Sequence, residues 1–561
     1  MSKQASKHRP VSEPRRRAIV LMIVLVVIVT LSLAAYTFSD LMLTHRHAAL
    51  VHGKRLQARM LIDSGVEAVL QYLSTDDASQ TEAGGHYDNP LYFQNMVVIP
   101  ETDADLRASF TVLAPMPATD GMPMGPRYGL EDESVRLNLN MVLLADKIEE
   151  GASRNLLMSL PGMSEEIADA ILDWMDEDDE AREYGAELDY YSSLEPAPYA
   201  PRNGPLQTVE ELLLVAGMTP QLLFGIDSNR NGMVDGHEMS SMMGGTGMAG
   251  TANVAGASAA PNPAAMAGMT GMDASAMASD RGWSSYLTIY SAERNTNALG
   301  EPRIYLNGDD LQQLHDDLSA VLSEEAANFI VAYRIYGPTD ESGQTTSAES
   351  LELDLSQSPK TQITQVLELI GAKVQAGSSS GGDSSGGGRS SSGSGQSAPI
   401  VSSPYADDPL AMASYLPQLM DNCTVNESES IPGRLNINQA PAELLVGIPG
   451  ITEEIVDAIL NSRTATTEEG DESRDFETWL LVEGLVTLDE MKSLSPFISA
   501  GGNAFRAQIV GYFQGGGPSA RAEVIFDATT TPPRVLFWRD ISHLGRGYAL
   551  DMLGVDLIDE F

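Results

Sequence analysis

"LLMSLPGMSEEIADAIL" (Leu156–Leu172) and "LLVGIPGITEEIVDAIL" (Leu444–Leu460) are one module written twice in a chain of 561 residues. Each copy sets a Pro-Gly turn between an apolar run and a second, amphipathic run. Ser164 and Thr452 open that second run, and Glu165-Glu166 and Glu453-Glu454 follow. A hydroxyl there caps free backbone N–H groups, and carboxylates suit the positive end of a helix dipole. Ile167, Ala170 and Ile171 share a face, as do Ile455, Ala458 and Ile459, at the i, i+3, i+4 spacing of a helix. A matching tetrapeptide precedes each copy, "LNLN" at Leu137–Asn140 and "LNIN" at Leu435–Asn438.

Helix, glycine turn, helix is the helix-hairpin-helix pattern, which often meets a DNA phosphate through its glycine. Such binding needs lysines and arginines to displace counterions. Here the turns are followed by paired glutamates, and 34 Lys+Arg stand against 78 Asp+Glu, a net charge of −44. That charge disfavours nucleic acid and makes the hairpins protein-contact or structural modules. The single cysteine, Cys423, excludes an intramolecular disulfide and a cysteine-built zinc site.

The sharpest change of composition is at the N-terminus. Residues 1–17 carry six Lys/Arg and one acid, Glu13, and Ala18–Ser39 is then 22 residues without a charge. Roughly 20 apolar residues span a bilayer, and the basic head argues for a cytoplasmic N-terminus. A cleaved secretory signal with Ser32-Leu33-Ala34 as its small-residue site is the alternative. Against it, no proline occurs between Pro14 and Pro90, and Ile62, Val66, Val69 and Leu73 continue a helical stripe. The reading is a membrane-rooted spine.

The remaining chain alternates strands, helices and linkers. The expected units are 1–17 leader, 18–39 transmembrane helix, 40–75 spine and 76–145 β region with strands "YFQNMVVIP" and "ASFTVLAP". There follow 146–238, helical with the first hairpin, and 239–280, a Met/Ala/Gly linker too poor in large apolar groups to fold. Next come 281–376 (mixed α/β), 377–400 (a Gly/Ser tether), 401–500 (the second hairpin) and 501–561 (strands "FRAQIVGYF", "ARAEVIFDA" and "RVLFWRD").

Two acidic stretches carry metal chemistry. "DSNRNGMVDGHE" has Asp227, Asn229, Asn231, Asp235 and Glu238 at positions 1, 3, 5, 9 and 12 of a calcium loop. Met233 offers its carbonyl at position 7 and Gly232 makes the turn. An exposed Asn/Gly-rich turn is the plain alternative. The run Asp176–Glu180, followed by Glu187 and Asp189, is either a solvated helix end or a second set of hard oxygen ligands. No metalloprotease histidine pair, Gly-x-Ser-x-Gly elbow or phosphate loop occurs, so a non-enzymatic role without a small-molecule substrate is expected.

Taken together, Tyr128–Gly225 ("YGLEDES…LNLN", "LPGMSEEIADAILDWMDEDD", "YGAELDYYSSLEPAPYAPRNGPLQTVEELLLVAGM") resembles the K class of minor pseudopilins of type II secretion systems. The resemblance implies an α+β fold, with an N-terminal spine helix on a pilin-like antiparallel sheet and inserted helix-hairpin-helix (SAM-like) domains. It implies calcium held by Asp176, Asp178 and Glu187, with Asp189 beside them. Implied too are partnership with other minor pseudopilins and the secretion machinery, and a place in the bacterial inner membrane with the bulk of the chain periplasmic. Two departures stand out. Arg17, not glycine, precedes Ala18 at the implied processing point, and the linkers enlarge the chain. The apolar run also lacks the early glutamate that meets a neighbouring subunit in pilins, which suits a subunit at the tip. The rival class is a membrane-anchored DNA-uptake receptor, which also carries a helix-hairpin-helix outside the membrane.

Overall fold

A computed structural model of the protein describes residues 15–115, 126–233, 238, 282–341, 345–377, 399–463 and 474–555. Helix α1 runs unbroken over Arg15–Leu73, about 88 Å at 1.5 Å per residue. Its first half is exposed and apolar, long enough to cross a membrane once. From Ala58 onward one face turns inward, and Ala58, Leu61, Ile62, Val69 and Leu73 are buried.

What they cover is an antiparallel sheet of β1 (Met96–Ile99), β2 (Ala108–Pro115), β3 (Ala504–Phe513), β4 (Ala520–Asp527) and β5 (Arg534–Asp540), in that spatial order. Phe110, Val112, Ile509, Val524 and Phe526 meet the spine in one core. Gly511 is required at the crossing, because a Cβ there would stand 2.3 Å from the Ala58 carbonyl oxygen. The segments 76–145 and 501–561, separate in the sequence reading, thus build one sheet across the β2–β3 pairing. Strand periodicity tells which side chain faces inward but not which strand lies alongside.

The helical region is a pair of repeats. The first holds α2 (Ala152–Met158) and α3 (Glu165–Met175), and the second α4 (Ala442–Val446) and α5 (Glu453–Ser462). Gly162 (φ 70°) and Gly450 (φ 82°) make the turns in the left-handed region, where a side chain would be strained. The tetrapeptides play matching parts. Asn138 and Asn436 each accept the backbone N–H two residues on, at 3.1 and 2.8 Å, and each sits in a two-residue parallel strand pair. The likeness extends further than the motif. Val209–Leu214 with Pro220–Phe224, and Trp479–Val482 with Leu488–Leu494, form a second helical hairpin in each repeat. Thr219 and Thr487 cap the later helices.

The two copies pack together. A Cβ on Gly447 would come within 2.6 Å of Ser159 Cβ, and Leu156, Leu157, Leu444, Leu445 and Ile448 belong to one core running from Leu137 to Ile498. Part of what each copy buries is therefore the other copy. The segments 281–376 and 401–500 share this core. Lys373–Gln375 pairs with Ile400–Ser402, and Ile304–Tyr305 with Cys423–Thr424.

One local expectation differs from the structure. Pro90–Phe93 is a helical turn capped by Asn89, so the strand begins at Met96, not at Tyr92. Within 281–376, the apolar segment Asn328–Tyr336 belongs to a helix, Glu324–Tyr336, capped by Ser323. Most of the Met/Ala/Gly and Gly/Ser linkers lie outside the described residues.

Candidate metal centres

Helix α3 builds the first centre. Its buried face carries Asp169 and Asp173 as well as aliphatics, all fully buried, and each acid has an arginine. Arg154 donates to Asp169 at 2.7 Å, and Arg182 to Asp173 at 2.6 Å. The helix ends at Asp176, its C-cap, in extended backbone. The chain then loops back through Gly185, where a Cβ would collide with Asp173, to Glu187 at the head of the helix Leu188–Ser192.

This return brings Asp176, Asp178 and Glu187 together, with one carboxylate oxygen from each within 4.8 Å of the others. Glu187 is 5% exposed, and among the described residues neither of its carboxylate oxygens has a hydrogen-bond partner. Asp176 Oδ1 is also buried and unpartnered. Burial first, then the nearby Asp173 and Asp176, pushes the Glu187 carboxyl up from 4.5 to about 7. Burial likewise raises Asp176, although Arg182 bonds its other oxygen and draws it back. Unpartnered carboxylate oxygens aimed at one point are a donor set that a hard cation such as calcium fits. Asp189 stands exposed in the following helical turn and is not part of the group.

The loop from Asp227 is built differently. Asp227 accepts from the backbone N–H of Asn231 at 3.2 Å and of Gly232 at 2.8 Å. Asn229 accepts from Asn231 N at 3.0 Å, and Asn231 from Met233 N at 2.8 Å. Glu238 reaches back to Ser228 N at 2.8 Å and Asn229 N at 3.2 Å. Burial, with Glu238 adding to it, raises Asp227 to about 6. The backbone of this loop is bolted to the sheet. Tyr548 donates to the Asn231 carbonyl at 3.1 Å, Asn231 to the Gly547 carbonyl at 2.8 Å, and Arg521 to the Asn229 carbonyl. The Met233 side chain packs beside Leu113, Val510 and Tyr548. Asp235 lies outside the described residues.

Sequence reasoning missed Asp169, Asp173 and Arg182. Their signal was present: acids four residues apart on the otherwise apolar face of α3 need cationic partners when buried.

Fold and sites together define an α+β protein with one long, apolar N-terminal helix and a helical head that carries clustered carboxylates. Within that head, residues 135–226 match the family model described as type II secretion system (T2SS), protein K, so the resemblance read from the sequence is borne out over these residues. A chain in the crystal structure of the GspK-GspI-GspJ complex from the enterotoxigenic Escherichia coli type 2 secretion system is similar at 10% identity. The similarity covers 88% of this chain and 99% of that one with a TM-score of 0.35. No curated protein matches the chain.

Proposed function

We propose that the protein is a minor pseudopilin at the tip of a type II secretion pseudopilus, supporting protein export by assembly and not by chemistry. The observation that carries this reading is the protein K match over residues 135–226, in a head joined to a spine helix laid on an antiparallel sheet. In this reading the sheet is pilin-like and the repeats are inserted helix-hairpin-helix domains. Residues 1–17 face the cytoplasm and the bulk of the chain is periplasmic, with processing between Arg17 and Ala18. Other minor pseudopilins are its partners.

Asp176, Asp178 and Glu187 hold one calcium ion. The Asp227–Glu238 loop takes a second ion more weakly, because its carboxylates already serve backbone N–H groups and Arg521 lies alongside. The ion neutralises carboxylates that burial otherwise leaves repelling one another; this chain's residues supply the oxygens and fix the loop ends.

The test is deletion of the gene with measurement of exported protein, together with co-purification of the full chain with the minor pseudopilins of its own system. Lost export restored by the full chain is the expected result. A gel shift of duplex DNA at physiological salt, abolished by substituting Gly162 and Gly450, would replace this reading with a DNA-uptake receptor.

A further inference from the structure

The spine carries a charge pattern at odds with the rest of the chain. Between Asp40 and Asp63 there is no acid, while Arg46, Lys54, Arg55 and Arg59 fall in that interval of a chain with net charge −44. His52, Arg55, Leu56 and Arg59 lie at i, i+3, i+4 and i+7, so they share one face of α1. That face is not turned to the sheet, where Ala58, Leu61 and Ile62 point. It forms one wall of an open groove of about 770 Å³ whose other wall is the Gly517–Ala520 turn with Asp540, Ser542 and His543. His52, Arg55 and His543 are exposed, and the Arg59 side chain is 63% exposed. Asp540, the one acid lining the groove among the described residues, is paired with Arg59 at 3.1 Å. Lys54 pins this stretch of helix by donating to the Asp105 carbonyl at 2.8 Å, beside Phe513. The groove is therefore cationic, with Leu56 as an exposed apolar foothold.

We propose that this groove docks an acidic helical segment of a neighbouring protein chain lying alongside α1. Charge complementarity requires an anionic occupant, and length excludes a lipid headgroup. The charge-free run ends at Ser39, so Arg55 stands about 24 Å further along the helix. The headgroup layer reaches only about 5–8 Å beyond the hydrocarbon on each side. A helix packed against the stripe presents carboxylates to Arg55 and Arg59 at the spacing on which they are displayed. The proposal rests on the assembly reading above.

The test uses the full chain in detergent and a fluorescent helical peptide with glutamates along one face, compared with the same peptide carrying glutamines. Fluorescence anisotropy at low salt should show the glutamate peptide bound and the glutamine peptide bound about tenfold more weakly. Arg55→Glu with Arg59→Glu should lower binding by about tenfold or more, while Arg55→Lys with Arg59→Lys should retain it and so separate charge from folding. Equal binding of both peptides, or binding unchanged by charge reversal, overturns the proposal. So does capture of phosphatidylglycerol vesicles through Arg55 and Arg59 by a chain that does not take the peptide. If the wild-type chain co-purifies with the minor pseudopilins but ignores the peptide, the groove proposal alone fails. If it binds the peptide but does not co-purify with them, the assembly reading fails and the groove stands.

Discussion

The two acidic centres lie some forty to fifty residues apart in sequence and invert the order that a motif search assigns them. The Asp227–Glu238 loop matches a calcium loop at every ligand position, yet Asp227 and Glu238 are tied to backbone N–H groups, and Arg521 of β4 and Tyr548 beyond β5 hold its carbonyls. The Asp176–Glu187 group has no regular spacing, yet it gathers three carboxylates and leaves both Glu187 oxygens buried without a partner. A carboxylate already hydrogen-bonded is a structural brace, whereas a buried carboxylate with unused lone pairs is a demand for a cation.

That contrast is sharpest in how each centre responds to calcium. With calcium at a hundredfold excess over its dissociation constant, the helical head should be stabilised by about 2.7 kcal/mol. Asp176→Asn with Glu187→Gln should abolish most of that gain. Hydrogen exchange of the α3 amides, with calcium and with chelator, measures it. Protection unchanged by calcium in the wild type would make the first centre an ordinary acidic loop.

Asp227→Ala should cost about 1–3 kcal/mol even in chelator, since the Gly232 N–H loses its acceptor and the Asn231 N–H keeps only Asn229 Oδ1. Exchange at 228–233 reads this directly, and a loss seen only with calcium would leave the loop an ion site with no bracing role.

A smaller effect distinguishes the centres by pH. Because Glu187 titrates at about 7 when folded and at 4.5 otherwise, the folded head binds the extra proton between those values. In chelator its stability should therefore be full below about pH 4.5 and fall as pH rises to about 7. Glu187→Gln should flatten that slope and raise the stability of the calcium-free head at pH 8. Asp189→Ala, at an exposed position outside the group, should change stability by no more than about 0.5 kcal/mol.

Much of this architecture is readable from residues near one another in sequence. The charge-free run gave the long apolar helix and the 3.6-residue stripe gave the spine; Thr452 caps its hairpin helix as expected, whereas Ser164 opens the matching helix without a capping side-chain hydrogen bond. Strands β2 to β5 were visible as β-branched and aromatic runs. What local pattern does not encode is partnership at a distance. Nothing near Thr111 announces Val510, and nothing near Ser159 announces Gly447. The metal group was in the same position. Asp176, Asp178 and Glu187 were singled out by resemblance, while composition alone left a solvated helix end and a ligand set both open. Their convergence depends on the return loop past Arg182 and Gly185, which has no periodic signature. The second hairpin of each repeat escaped notice because its helices are only one turn or two long, too short for periodicity to register.

The pairing of β2 with β3 sets a timetable for the birth of the molecule. The spine and β2 leave the ribosome early, but the strand that completes their core begins at Ala504. At about 5–20 residues per second, the roughly 390 intervening residues take about 20–80 seconds to synthesise. Throughout that interval only the β1–β2 pair is available to cover Leu61, Ile62 and Val69. The nascent chain must therefore carry a partly covered apolar stripe until its last strands arrive, and truncation anywhere before β3 leaves the cover incomplete for good.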